Sequence, residues 1–357
     1  MKNIKEVERL NGVRVIVRLD LNVPVQNNNV IDDFRIKKSL PLIEYLYKKG
    51  AQLILISHIE TKDNPTLEPI AKHLKTLGID CFFEKNYKKV LSSKNRIILL
   101  ENLRNNEGEK KNDKKFAREL ASLGDIYVNE AFPVSHREHA SVCAITEFIP
   151  SYAGFQFQEE VKHLSSAFNP EHPFLFILGG AKFETKLPLI EKFMSIADRI
   201  FVGGALANNF FKEQGKDIGD SLVSKENFNL KKFLDTNKIL LPIDSIMKDG
   251  IIFDAGMETV ELLKKEIDKA KFILWNGPLG AYETGYRAST LQLAEILEEA
   301  TSKGSKTILG GGDTIATISE LNLQDKFTFV STGGGAMLDF LAKGTLPGIE
   351  ALEKSKY

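Results

Sequence analysis

An α/β fold with two doubly wound parallel-sheet domains is predicted by three features of this sequence. Short apolar runs alternate with longer amphipathic stretches along the chain. The 357 residues, 43% of them hydrophobic, exceed one ordinary core and suit two. In the second half, apolar runs repeatedly end in glycines.

The runs 13–19, 52–57, 96–100, 125–129, 173–178, 199–202, 271–275, 306–309 and 327–331 read as strands. The stretches 35–48, 67–77, 116–123, 183–193, 259–270 and 291–300 carry helical periodicity. Strands separated by helices form parallel sheets covered on both faces. Pro150-Ser151-Tyr152-Ala153-Gly154 reads as a turn-rich boundary, and the helical pattern 156–167 after it as a connecting helix.

Charge is balanced overall, with 48 basic and 48 acidic residues, which argues against a dedicated nucleic-acid binder. It is not evenly spread. Residues 1–150 hold 25 Lys and Arg against 20 Asp and Glu, a net of +5, leaving −5 for the remainder. A basic first half suits an anionic ligand, although a difference of five charges also arises by chance. Cys81 and Cys143 each sit in an apolar run without a CxxC partner and read as reduced core residues. The opening residues lack the apolar stretch of a signal peptide, and no apolar run reaches the length of a membrane span. A cytoplasmic protein without membrane partners is expected.

Five glycine turns follow apolar runs in the second half: Gly179-Gly180, Gly203-Gly204, Gly277-Pro278-Leu279-Gly280, Gly310-Gly311-Gly312 and Gly333-Gly334-Gly335. Glycine admits close backbone approach and positive φ. The free N–H groups of the next helix then attract phosphate. Any one of these loops is an ordinary strand-to-helix turn. Five on one sheet edge form a nucleotide floor. Neither the P-loop spacing nor the dinucleotide GxGxxG occurs, which excludes the commonest nucleotide-binding classes and an ordinary dehydrogenase. Lys182 follows one turn and can reach a phosphate held there. Asp313 follows another, and local sequence leaves two readings open, a helix N-cap or a Mg²⁺ ligand.

In the basic half, Asp20, Asn22, Arg35, His58, Arg104 and Arg137 lie at or just beyond strand ends or loop starts. Arginine forks match carboxylate and phosphate geometry. Each arginine alone reads as surface decoration; their repeated position is the signal. His136 and His139 flank Arg137, but no third ligand stands nearby to suggest a metal.

These residues lie in segments that resemble phosphoglycerate kinases. The segments are Arg18-Leu19-Asp20-Leu21-Asn22-Val23-Pro24, Asp32-Asp33-Phe34-Arg35-Ile36, Leu100-Glu101-Asn102-Leu103-Arg104, Gly124-Asp125-Ile126-Tyr127-Val128-Asn129-Glu130-Ala131-Phe132 and His136-Arg137-Glu138-His139-Ala140-Ser141. They continue with 178–186, Trp275-Asn276-Gly277-Pro278, 310–314 and 331–336, in the family's order.

The resemblance implies two Rossmann-like domains separated by a hinged cleft, and reversible phosphoryl transfer from 1,3-bisphosphoglycerate to ADP, giving 3-phosphoglycerate and ATP. It implies an N-terminal phosphoglycerate-binding domain, 1–153, joined by a tail at about 344–357, and a Mg-nucleotide domain, 154–343. Asp20, Asn22, Arg35, His58, Arg104 and Arg137 would hold phosphoglycerate. Gly180, Lys182, Lys186, Gly203, Gly204, Asn276, Pro278, Glu283, Gly311, Gly312, Asp313 and Thr314 would hold nucleotide, with Glu283 at the ribose and Asp313 on Mg²⁺. Arg35, Lys182, Gly312 and Gly335 would act at the transferring phosphoryl. A monomer is implied.

The chemistry agrees with the residues. The phosphoglycerate nucleophile is a carboxylate with a pKa of roughly 4, already ionised at neutral pH. No general base is required, and none is evident. Charge neutralisation and alignment remain.

The sequence departs from the family after Ser57-His58. Glu60 and Thr61 stand where the family has glycine and arginine, and the loop is short. One lost charged hydrogen bond costs about 1.5–3 kcal/mol. Lys62 cannot copy an arginine fork. Phe132-Pro133-Val134, Ala205 and Met257 also depart. A second reading follows from Thr61: a family member weakened in catalysis that acts as a nucleotide-binding protein.

Overall fold

The computed structural model describes residues 1–60 and 65–356, so Thr61 and Lys62 lie outside the described residues. It divides into two compact units. The first comprises Met1–Lys162 together with the chain from Thr345 onward, and the second comprises His163–Gly344. The boundary falls within the helix Phe155–Ser165.

The first unit is built on a six-stranded sheet. Its strands are β1 (Arg14–Arg18), β2 (Gln52–Ile56), β3 (Phe82–Glu84), β4 (Ile97–Leu100), β5 (Ile126–Asn129) and β6 (Ser151–Ala153). They lie in the order β3-β4-β2-β1-β5-β6, and every pairing is parallel. Apolar runs such as Ile97-Ile98-Leu99-Leu100 are buried throughout because helices cover both faces. The core continues into the helix α1 (Phe34–Lys48) through Ile36, Leu42, Ile43 and Leu46.

The second unit repeats the plan. Its strands are β7 (Phe174–Leu178), β8 (Arg199–Val202), β9 (Ile239–Leu240), β10 (Phe272–Asn276), β11 (Lys306–Gly310) and β12 (Phe329–Ser331). The order is β9-β8-β7-β10-β11-β12, again all parallel. Numbered within the unit, this is the 3-2-1-4-5-6 order of the doubly wound dinucleotide folds. Phe174, Phe193 and Phe272 pack edge to face at its centre, with ring centroids 5.0 and 5.9 Å apart.

In each sheet the strand order reverses beside the first strand, between β1 and β5 and between β7 and β10. Crevices outside the carboxyl ends of strands at such a point are where open α/β sheets take ligands. Register makes those ends level. Arg18 pairs with Ile56 and Asn129 in the first sheet. In the second, Leu178 pairs with Val202 and Asn276, Asn276 with Gly310, and Gly310 with Ser331. All five glycine turns therefore leave one edge.

Two sequence expectations are corrected. The stretch at 150–154 is more than a turn, because Ser151–Ala153 forms the edge strand β6 against Tyr127, Val128 and Asn129. Cys143 is only partly buried, whereas Cys81 is in the core. The helix Pro347–Lys354 lies on the first unit. Gly348 N–H donates to the Ser135 carbonyl at 2.8 Å, and a Cβ at Gly348 would come within 2.7 Å of Ser135 Cβ.

Candidate active site

The first unit gathers its cations where the strands end. Arg18 closes β1 and is fully buried. Its Nε donates to Ser141 Oγ at 2.9 Å, and its Nη1 donates to the Leu19 carbonyl at 2.5 Å. Its Nη2 stands 3.0 Å from His58 Nδ1. Ser141 is in turn fixed by buried Glu109, with Oγ donating to Oε1 at 2.6 Å and N–H to Oε2 at 3.0 Å.

Arg35, from the first turn of α1, donates from Nη1 to Asp20 Oδ2 at 3.1 Å and to the Asn22 carbonyl at 3.5 Å. Asn22 Oδ1 accepts the N–H of Glu60 at 2.9 Å. The Glu60 carboxylate pairs with Arg104 and lies 3.9 Å from Arg137 Nη1. Asn102 pins the loop on both sides, donating from Nδ2 to the carbonyls of Ile59 at 2.9 Å and Pro65 at 3.0 Å.

Electrostatics show the cluster to be strongly cationic. Burial, reinforced by Arg18, Arg104 and Arg137, drives the His58 pKa far below its ordinary value and keeps the ring neutral. Burial first, then Arg137 and Arg18, brings Arg104 down to about 10. Burial and the same arginines lower His139 to about 4. Of the six expected residues, Asp20, Asn22, Arg35, Arg104 and Arg137 are linked through Glu60 and direct bonds, while His58 is bonded to Arg18 and reaches Arg104 and Arg137 only electrostatically. Arg18, Glu109, Ser141 and Asn102 complete the cluster, although the sequence reading assigned them no role. The available signal was a charge closing an apolar strand at Arg18.

The second unit uses backbone. Gly179 N–H donates to the Asn276 carbonyl at 2.9 Å, and Gly180 N–H to the Pro278 carbonyl at 2.8 Å. Gly204 has φ +58, and a Cβ there would meet Gly180 N at 2.7 Å. Gly312 is exposed, and a Cβ there would meet nothing within 4 Å. The former is needed for packing, while the latter leaves room above the floor.

Lys182 occupies the N-cap position of the helix α2 (Phe183–Phe193), with its side chain exposed. Lys186, one turn on, is buried, and its Nζ donates to the Gly179 carbonyl at 2.5 Å. Burial lowers its pKa to about 8, against the opposing pull of Asp313. Asn276 and Thr314 are also buried. Asn276 Nδ2 donates to the Gly310 carbonyl at 2.8 Å, and Gly277 N–H donates to Thr314 Oγ1 at 3.0 Å. These bonds tie the loops after β10 and β11 together.

Asp313 lies in the first turn of the helix α3 (Gly312–Glu320), whose N-cap is Gly311 with no side-chain cap. The N-cap reading of Asp313 is therefore excluded. Its carboxylate stands at the floor, close enough to raise the Lys186 pKa. One carboxylate beside the free amides of a helix start suits Mg²⁺, which keeps most of its shell as water and substrate phosphate. Among the described residues, no group of three or more His, Cys, Asp or Glu could form a metal cage. Gly335 is exposed at the start of the helix α4 (Gly335–Lys343). Glu283 lies in an exposed 3₁₀ turn, Tyr282–Thr284. No hydrogen bond or ion pair among the described residues joins its carboxylate to the glycine loops.

Known proteins match this chain over nearly its whole length. The model of the family described as phosphoglycerate kinase matches residues 4–344. A phosphoglycerate kinase of Thermosipho africanus is 40% identical over 394 aligned residues, covering 99% of this chain and 98% of the relative. One of Chlorobaculum tepidum is 40% identical over 385, covering 96% and 97%. The solved phosphoglycerate kinase of Coxiella burnetii superposes with a TM-score of 0.86 at 32% identity, covering 99% of each chain. Both alignments are longer than the 357 residues present here, so these relatives carry stretches that this chain lacks. Full-length similarity of sequence and fold, with a guanidinium cluster in one unit and a glycine floor in the other, makes this chain a member of the phosphoglycerate kinase family.

Proposed function

We propose that this chain passes a phosphoryl group between 1,3-bisphosphoglycerate and ADP, giving 3-phosphoglycerate and ATP. The first unit holds phosphoglycerate through Asp20, Asn22, Arg35, His58, Arg104 and Arg137, with Asp20 fixing Arg35 and His58 bonded to Arg18. The second unit holds the nucleotide on the loops at Gly180, Gly203, Gly204, Pro278, Gly311 and Gly312. Lys186 and Lys182 supply charge, and Asn276 and Thr314 keep the loops in register. Glu283 is proposed for the ribose. Mg²⁺ arriving with the nucleotide would be held by Asp313 and would neutralise charge on the phosphates.

The chemistry asks little of proton transfer. The attacking carboxylate is already ionised at neutral pH, and His58 is held neutral and paired with Arg18. Arg35 and Lys182 neutralise the moving phosphoryl, and the amides of Gly312 and Gly335, at two helix starts, add N–H donors. The observation that carries this reading is the level edge from which all five glycine turns leave.

Nothing favours the reading of a weakened, merely nucleotide-binding member. A monomer in the cytoplasm is proposed. No helix among the described residues is long and apolar enough to cross a membrane. The test is a coupled assay with ATP, Mg²⁺ and a range of 3-phosphoglycerate concentrations. Saturable, phosphoglycerate-dependent ADP production is expected; ATP hydrolysis indifferent to phosphoglycerate would defeat the proposal.

A further inference from the structure

We propose that the Glu60 carboxylate is a built-in competitor for the phosphoglycerate seat, pairing with Arg104 and Arg137 until a bound phosphoglycerate displaces it. The inference rests on the functional reading above, and it concerns how that site is regulated. Three carboxylates stand within the arginine cluster. Glu109 is fully buried, and both its oxygens are taken by Ser141. Asp20 is buried and accepts from Arg35. Glu60 alone is half in solvent, its side chain 53% exposed, while its partner Arg104 is 6% exposed.

Arg104 has few other options. Its Nε, Nη1 and Nη2 are all buried without a hydrogen-bond partner, and Nη1 meets Glu60 only as an ion pair. A guanidinium left this way favours an incoming anion with several oxygens over a single carboxylate. Glu60 neutralises part of the cluster when the seat is empty, and it can leave cheaply because its head is already wet.

The backbone needs no rearrangement for this exchange. Glu60 N–H is held by Asn22 Oδ1 at 2.9 Å. The preceding Ile59 donates to Asn102 Oδ1 at 3.3 Å and accepts from Asn102 Nδ2 at 2.9 Å. Rotation of one side chain therefore opens the seat. Apparent affinity then equals intrinsic affinity multiplied by the fraction of molecules with Glu60 turned out. A dianionic phosphate competes for Arg104 and Arg137 better than a monocarboxylate does. Glu60 thus filters for phosphorylated ligands over plain hydroxy acids.

Glu60→Gln keeps the shape and removes the charge. By isothermal calorimetry, 3-phosphoglycerate should bind this variant about tenfold more tightly than wild type, a gain of the size set by a fraction open near one tenth. Inorganic phosphate should gain similarly in a thermal-shift titration. In the coupled assay, the Michaelis constant for phosphoglycerate should fall while that for ATP holds. Unchanged or weaker binding of both anions would mean that Glu60 merely orients Arg104, and would overturn the proposal. If neither protein bound 3-phosphoglycerate but the variant still gained affinity for inorganic phosphate, the substrate assignment would fail while the competition by Glu60 stood.

Discussion

On the proposed reading, the two units meet one problem, holding a phosphate-bearing anion at the carboxyl ends of parallel strands, by opposite means. The first spends side-chain charge. Arg18, Arg104 and Arg137 converge on His58, and burial plus mutual repulsion lowers Arg104 and silences His58, while Arg35 pairs with Asp20. The second relies on backbone. Its glycine turns leave one edge, locked together through Asn276, Thr314 and the Gly180–Pro278 bond. A charge-built site is strong but needs counter-ions such as Asp20, Glu60 and Glu109. A shape-built site needs none, but it tolerates no added atoms where its backbones touch.

The sharpest challenge to this contrast is Lys182, an exposed side-chain charge within the backbone-built unit. If it acts on the moving phosphoryl, Lys182→Ala should lower kcat by about 10²–10³-fold, the cost typical of losing one preorganised donor to transition-state charge. The Michaelis constant for ATP should stay within about threefold, because the floor binds the ground state. Steady-state kinetics decide it. A loss confined to the ATP Michaelis constant would make Lys182 one more ground-state contact and weaken the division between the units.

Next in size is a pair of glycines. At Gly204, φ is +58 and a Cβ would strike Gly180 N at 2.7 Å and O at 2.8 Å. Gly204→Ala should cost about 1–3 kcal/mol of stability, as strained backbone positions do, read by urea unfolding. Gly312 has open space above it, so Gly312→Ala should leave stability within about 0.5 kcal/mol. It should instead weaken ATP binding, since the methyl stands where phosphate is proposed to lie. Equal destabilisation by both would show that the glycines serve packing alone.

Legibility in the sequence followed the same division. Strands such as β7 and β10, apolar and buried along their full length, stand out as runs. The edge strands β3, β6 and β9 do not. They have only two or three residues, and in β3 Phe82 is 45% exposed, so they carry little hydrophobic signal. Charged residues just beyond strands reveal the guanidinium cluster. Glu109 does not, because the run Glu107-Gly108-Glu109-Lys110-Lys111 looks like a solvated surface although Glu109 is fully buried. Asn276 and Thr314 attract attention as phosphate ligands. Only coordinates reveal that their side chains turn inward to fasten neighbouring loops.

Lys186 gives the smallest effect and the finest discrimination. It is a buried amine, with its pKa brought down to about 8 by desolvation. A bound phosphate favours the ammonium, so above pH 8 nucleotide binding should take up a proton. Affinity should then fall by up to about tenfold per pH unit until the pKa of the complex is reached. For stability the sign is reversed. Between about 8 and the ordinary lysine value near 10.5, the unfolded chain binds the extra proton. The cost of burying the charge is therefore full below pH 8 and fades as pH rises through that window. Calorimetry of ATP binding at pH 9, in two buffers of different ionisation enthalpy, should show proton uptake in the wild type and none in Lys186→Met. Phosphoglycerate binding should show at most about a tenth of a proton at that pH, because His139 titrates near 4 and Arg104 near 10. Uptake approaching one proton on the phosphoglycerate side instead would place the titrating cation in the guanidinium cluster and reverse the contrast between the two units.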